Sequence, residues 1–205
     1  MLPAIALAVV VQLSNVANVP ASVVRPAQVE VTRLYRDIGV DIEWTAREQT
    51  PRGDRLNVRV VLLAYEGGAL HRRSMTVMGA AVRTAEDTAV AYVFYRRVET
   101  EAARYAVSPT AVLACAIAHE FGHLLLPGGT RAGHSPAGLM RASWDRDDFH
   151  RSDQGLLRFS PDQAARIRRS LTRDEIASLT RDSPGPSDSR GLCRPPVPAT
   201  PEPCR

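Results

Sequence analysis

The stretch that decides the fold is residues 108–126, which read Ser-Pro-Thr-Ala-Val-Leu-Ala-Cys-Ala-Ile-Ala-His-Glu-Phe-Gly-His-Leu-Leu-Leu. It opens with serine and proline, an N-cap residue followed by a residue favoured in the first helical turn. Almost every later position is apolar, which predicts a long helix buried in the core. A Pro-Gly-Gly triplet at 127–129 then ends the helix. Its apolar character is interrupted near the C-terminal end by His119, Glu120 and His123.

His119 and His123 are four residues apart, and on a helix this spacing places two side chains on one face with Cβ atoms about 5–6 Å apart. Two imidazoles in that relation can both reach one zinc ion at roughly 2.0–2.1 Å. Glu120 is rotated away from the pair, so its carboxylate can approach a water on the metal without binding the metal itself. The spacing therefore predicts a zinc centre with Glu120 as general base. The alternative is a pair of partly exposed histidines with Glu120 in a surface ion pair.

A third protein ligand would leave one coordination position open for water, as in catalytic zinc sites. His134 is the natural candidate, because the Pro-Gly-Gly break allows the chain to turn back toward the helix. Three of the five histidines then fall within sixteen residues. The alternatives are that Asp145, Asp147 or Asp148 is the third ligand, or that His134 is an ordinary loop residue.

Outside this helix, hydrophobic periodicity predicts strands first and further helices at the end of the chain, which is the pattern of an α+β domain. Upstream, a helix precedes four strands, of which the last is the most regular. Downstream, a Ser-Pro-Asp-Gln capping signature at 160–163 opens another helix. The predicted elements are a helix over 26–37, strands over 40–44, 56–63, 75–82 and 88–95, and helices over 161–171 and 172–179.

Composition divides the chain into three segments. Residues 1–21 contain an apolar run of about a dozen residues followed by small residues, which predicts a signal peptide and a secreted or periplasmic protein. The alternative is that this run is the first strand or helix of the fold. Residues 22–182 form the predicted catalytic domain. Residues 183–205 are rich in proline and serine, which predicts a disordered tail, in which Cys193 and Cys204 could pair if the protein is exported.

The net charge of +4 is not concentrated in a Lys/Arg stripe interleaved with aromatic residues, so the sequence gives no support to nucleic-acid binding. The N-terminal apolar run is too short to span a membrane. We therefore expect a monomer without nucleic-acid partners or a stable membrane span.

The segment His119-Glu-Phe-Gly-His123, followed by Gly133-His134-Ser135 and by Gly138-Leu-Met140, resembles the metzincin zinc peptidases, and within them the matrixins. The match extends over about twenty-five residues. The family pattern H-E-x-x-H-x-x-G-x-x-H has glycine where this chain has Leu126, and the third histidine here comes five residues later. The loop before the third histidine is therefore longer in this chain.

The resemblance implies a zincin-like fold with a small mixed sheet, an active-site helix and C-terminal helices. It implies His119, His123 and His134 as zinc ligands, Glu120 as general base and Met140 as the methionine of a turn beneath the metal. It also implies that an edge strand binds the substrate backbone, and strand 88–95 holds that place in the chain order. The alternatives are that this strand belongs to the interior of the sheet and that Met140 is an ordinary core residue.

Together, motif and resemblance predict a zinc-dependent endopeptidase that acts on a peptide or protein substrate. The alternative from a different class is a non-catalytic zinc-binding secreted module, a pseudo-peptidase. The intact glutamate favours the enzyme, because a purely structural zinc site has no use for a carboxylate beside the metal.

Overall fold

The structure is a computed structural model that describes residues 7–45, 56–65, 78–83, 89–126 and 133–181, with side chains described as far as residue 172. In these ranges the chain forms five strands and five helices around one sheet. The predicted α+β class with a mixed sheet is confirmed at this level. The predicted tail at 183–205, including Cys193 and Cys204, lies outside the described residues. None of the described helices combines the length and apolarity needed to cross a membrane.

The sheet has the strand order β2-β1-β3-β5-β4. Neighbouring strands are parallel except for β4, which runs antiparallel to β5 at one edge. Valine and leucine dominate β1 and β3, as expected for parallel strands buried on both faces. The strands are β1 (Leu7–Asn15), β2 (Val40–Thr45), β3 (Leu56–Leu63), β4 (Gly79–Arg83) and β5 (Ala89–Phe94).

Helices α1 and α3 pack side by side against one face of this sheet, with α1 contacting β2 and α3 contacting β4 and β5. The core lies between these layers and consists mainly of small and branched apolar side chains. The helices are α1 (Ala21–Arg36), α2 (Tyr95–Tyr105), α3 (Pro109–Leu125), α4 (Arg146–Asp153) and α5 (Pro161–Arg181). The sheet contributes Val9, Val11, Val58, Val60, Leu62, Ala89, Ala91 and Val93 to the core.

Most predicted elements occur close to their predicted bounds. The long helix and the strands at 40, 56 and 89 agree to within a residue or two. The helix predicted from residue 26 begins five residues earlier, and Pro26 lies inside it. The strand predicted over 75–82 is seen as β4, and residues 75–77 lie outside the described ranges. The two helices predicted over 161–179 form one continuous helix, α5.

Two helices were not predicted. Helix α2 buries Tyr95, Val98 and Ala102 at helical spacing, a pattern that periodicity could have identified. Helix α4 has little apolar periodicity, but Asp145 and Asp148 form a capping box at its start, and this local signal was available in the sequence.

The prediction that strand 88–95 is a substrate-binding edge is wrong. This strand is β5, and it pairs with β3 on one side and β4 on the other, so its backbone groups are already used within the sheet. The alternative, that this strand belongs to the interior of the sheet, is confirmed. On this side of the sheet the edge strand is β4. It precedes β5 in the chain but follows β5 in the order of strands across the sheet.

The apolar run predicted to be a signal peptide contains β1, which lies between β2 and β3. Val9 and Val11 are fully buried in the core. Asn15 then closes a turn, because its side-chain oxygen accepts the Val19 amide at 2.9 Å and its side-chain nitrogen donates to the Val19 carbonyl. The predicted end of the signal peptide, Ala21, is the first residue of α1. The alternative reading, a first strand of the fold, matches this placement.

Two matched substitutions test whether this run belongs to the folded protein. Val11 is 0% exposed and Val16 is 62% exposed, so Val11→Asp buries an unpaired carboxylate and Val16→Asp does not. We expect Val11→Asp to lose several kcal/mol of unfolding free energy, whereas Val16→Asp should change it by less than about 0.5 kcal/mol. Denaturant unfolding of the purified proteins, with intact mass measured in parallel, gives both quantities. Equal stabilities would contradict the placement of β1 and support removal of the run.

Candidate metal centre

Helix α3 is held rigidly at the turn that precedes its histidines. Tyr35 of α1 is fully buried and donates its hydroxyl to the Ala118 carbonyl at 2.9 Å. Its ring packs against Phe121 and Phe159, with ring centroids 4.7 and 5.1 Å apart. Burial raises the pKa of Tyr35 well above its ordinary value, so the hydroxyl stays a donor. The backbone beside His119 therefore has a fixed position relative to α1.

The structure brings His119, His123 and His134 together. The Nε2 atom of His123 lies 3.1 Å from Nε2 of His119 and 3.1 Å from Nε2 of His134. The ligand atoms of all three lie within 4.8 Å of one another. Two nitrogens bound to one zinc ion at tetrahedral angles lie about 3.3 Å apart. The three rings thus have the spacing of a three-histidine metal site.

The ring of His119 is oriented by the backbone. Its Nδ1 lies 2.8 Å from the carbonyl oxygen of Leu139, which can only accept a hydrogen bond, so Nδ1 donates and Nε2 keeps its lone pair toward the other rings. Burial lowers the pKa of His119 to about 4, although the bond to Leu139 opposes this shift. Burial also lowers the pKa of His134. At neutral pH both rings are uncharged, which is the protonation state that binds metal.

A tight turn holds His134 next to the helix. The amide of Ser135 donates to the Met140 carbonyl at 2.9 Å, and the amide of Leu139 donates to the Arg158 carbonyl at 2.8 Å. Gly138 has φ of +80°, a left-handed conformation that glycine adopts without strain. These bonds close residues 135–140 into a loop that starts immediately after the third histidine.

Met140 lies within this turn and is fully buried. A Cβ atom added at Gly122 would come 2.6 Å from its sulfur, so the thioether packs directly on the helix backbone between the two helical histidines. The absence of a side chain at Gly122 is what allows this contact. Met140 therefore packs against the turn of α3 that carries His119 and His123.

The structure places the aspartates considered as alternative third ligands at the start of α4, outside the histidine group. Asp145 and Asp148 both accept from Arg141, and they cap α4 through their side chains. Among the described residues, the histidine triad is the group of side chains that meets the spacing of a metal site. His134 is therefore the loop residue that joins the pair on α3.

One residue at the site was missed by the sequence analysis. Trp144 donates its indole N–H to the Leu139 carbonyl at 3.1 Å, so this carbonyl accepts from both Trp144 and His119. Its ring also meets the His119 ring edge-on, with centroids 5.8 Å apart. Nothing in the spacing of Trp144 distinguishes it from a core aromatic residue.

Glu120 lies on the side of α3 that faces β4, and it is buried. A Cβ atom added at Gly79, the first residue of β4, would come 2.4 Å from Cγ of Glu120 and 2.8 Å from its carboxyl carbon. The edge strand therefore passes directly over the glutamate side chain. His119, Glu120 and His123 occupy one turn of α3, but the two rings face His134 and the carboxylate side chain faces β4.

Neither the protein-family models nor the curated proteins include a match to this chain. Three imidazoles with converging Nε2 atoms suit borderline metals such as zinc, copper, nickel and iron, and they suit magnesium or calcium poorly. The donor set fits a metal site of the three-histidine kind.

Removal of single rings tests the shared site. We expect His123→Ala and His134→Ala each to lower zinc affinity by about 100-fold or more, since loss of even an outer-shell partner lowers affinity 10- to 100-fold. His150→Ala is the matched control, because His150 lies on α4 outside the triad, and its affinity should equal that of the wild type. Titration of metal-free protein against a zinc-sensitive chelating dye measures all four. Wild-type affinity in His134→Ala would remove that residue from the site.

Proposed function

We propose that the protein is a zinc-dependent endopeptidase in which His119, His123 and His134 hold the metal and Glu120 acts as general base. The observation that carries the proposal is the convergence of three Nε2 atoms, two of them from the turn of α3 that also carries the buried Glu120. Catalytic zinc sites use three protein ligands and keep one position for water or substrate, whereas structural sites use four. A zincin-like fold and membership among the metzincins are part of the same proposal.

Bound zinc would polarise the scissile carbonyl and make water acidic enough to lose a proton near neutral pH. Glu120 takes that proton from the attacking water and later delivers it to the nitrogen of the departing amine. Leu139 keeps His119 in the tautomer that presents its Nε2 lone pair. His134 is the most exposed ring of the triad, so the substrate approaches from its side of the site.

The edge strand β4 is the proposed binding site for the substrate backbone. The Phe94 amide donates to the Met78 carbonyl at 2.8 Å. Because antiparallel strands alternate the direction of their polar groups, Gly79 and Ala81 direct their amides and carbonyls away from β5. No described strand pairs with that side of β4. An extended peptide added there would lie next to Glu120.

Proline at position 81 tests this binding mode. Ala81→Pro removes an amide that points away from the sheet, so the β4–β5 ladder keeps its hydrogen bonds. We expect kcat/KM to fall about 10-fold, mainly through KM, because one backbone hydrogen bond contributes about 0.5–1.5 kcal/mol. Ala81→Ser keeps the amide and should retain wild-type values. Unchanged kcat/KM in the proline variant would place the substrate elsewhere.

The general-base role is tested by Glu120→Gln, which keeps the shape of the side chain but cannot accept a proton. We expect zinc content to stay at wild-type level while hydrolysis of an unfolded, fluorescently quenched protein falls by about 100- to 10,000-fold. Glu99→Gln is the control, since Glu99 forms a surface ion pair with Arg96 on α2, and it should leave both quantities unchanged. Retained hydrolysis in Glu120→Gln would end the assignment. Zinc binding by a wild-type protein that hydrolyses no peptide would support the non-catalytic module instead.

A further inference from the structure

We infer that Gly79 is a positioning residue, whose missing side chain sets the location of the Glu120 carboxylate. This inference rests on the proposed function, in which that carboxylate moves protons. The contact joins two elements that are far apart in the chain, the edge strand β4 and the helix α3, and it occurs at the residue where β4 begins.

The geometry leaves no room for any side chain at position 79. A Cβ atom there would lie 2.4 Å from Cγ and 2.8 Å from the carboxyl carbon of Glu120. Non-bonded carbon atoms prefer separations of about 3.5–4.0 Å, so the glutamate side chain would have to move by on the order of 1 Å. At this contact the Glu120 side chain moves, because it rotates more easily than the backbone of either element moves.

The neighbouring positions show why the contact occurs at Gly79. Gly79 pairs with Val93 and Ala81 pairs with Ala91, so these residues share the sheet face that carries α3. Glycine and alanine on this face allow the helix to approach β4 closely. At the far end of the strand, Arg83 donates to the Leu124 carbonyl of α3 at 2.6 Å. The strand is thus fixed to the helix beyond Glu120 as well as beside it.

Gly79 could also be required only for the pairing of β4 with β5, because the same Cβ atom would lie 2.6 Å from the Tyr92 carbonyl oxygen of β5. The experiment has to separate this requirement from the positioning of Glu120. A double-mutant cycle makes this separation. Gly79→Ala meets the Tyr92 oxygen in every background, but it meets Cγ and the carboxyl carbon only when Glu120 is present. The Tyr92 contribution therefore cancels in the comparison of Gly79→Ala with and without Glu120→Ala.

The experiment measures unfolding midpoints of the four metal-free proteins and, for the two that retain Glu120, zinc affinity, kcat and KM. We expect Gly79→Ala to lower the midpoint more in the wild type than in the Glu120→Ala background. We expect it to lower kcat by about 100-fold, as a displacement near 1 Å can do, with KM and zinc affinity within about threefold of wild type. Equal midpoint losses in both backgrounds, or a rise in KM with unchanged kcat, would overturn the positioning role and leave only strand pairing. The unfolding midpoints in the double-mutant cycle measure the contact between Gly79 and Glu120 without any catalytic assay. Lack of hydrolysis by the wild type would therefore count against the proposed function alone.

Discussion

The structure depends on one constraint, the placement of polar ligands on a helix that is otherwise buried. Helix α3 packs against α1, β4 and β5, so the turn carrying His119, Glu120 and His123 cannot be released to solvent without exposing the core. Burying polar groups is unfavourable unless they are paired or bound. The Leu139 carbonyl accepts the N–H of His119, and the Nε2 atoms of the three rings converge on one point. A metal at that point would convert an unfavourable burial into a rigid centre.

Two elements support the site, and each contacts different residues of α3. On one side, the turn ending at Met140 fixes the rings, because it carries the acceptor for His119 and closes onto Gly122. On the other side, β4 passes Glu120 at Gly79. The two helical histidines and the proposed base therefore share a turn of α3 but have separate supports. In such an arrangement the Glu120 carboxylate can shift without a change in the contacts that hold the His119 ring.

Local signals in the sequence were sufficient to predict α3, β3 and the pair of histidines on one face of α3, because periodicity and capping depend on residues only a few positions apart. The order of strands in the sheet is not a local property, so the sequence alone does not show that β4, and not β5, lies at the edge. The apolar run at the N-terminus has the same composition as a signal peptide and as a parallel strand buried on both faces, so composition alone could not distinguish them. The role of Trp144 cannot be predicted from the sequence, because its partner is the backbone carbonyl of Leu139 and every residue carries such a carbonyl.

The long interval before the third histidine, which departs from the metzincin pattern, has a physical explanation. His134 is fixed from its C-terminal side, by the Ser135 amide on the Met140 carbonyl and the Leu139 amide on the Arg158 carbonyl. The end of α3 is fixed on the other side of the interval, where the Leu126 amide bonds to the Gly122 carbonyl. Because both ends of the interval are held, additional residues between them increase the entropic cost of closing the loop only slowly. The position of the third ring is therefore determined by the turn that follows it, and the count of residues that precede it can vary without moving the ligand.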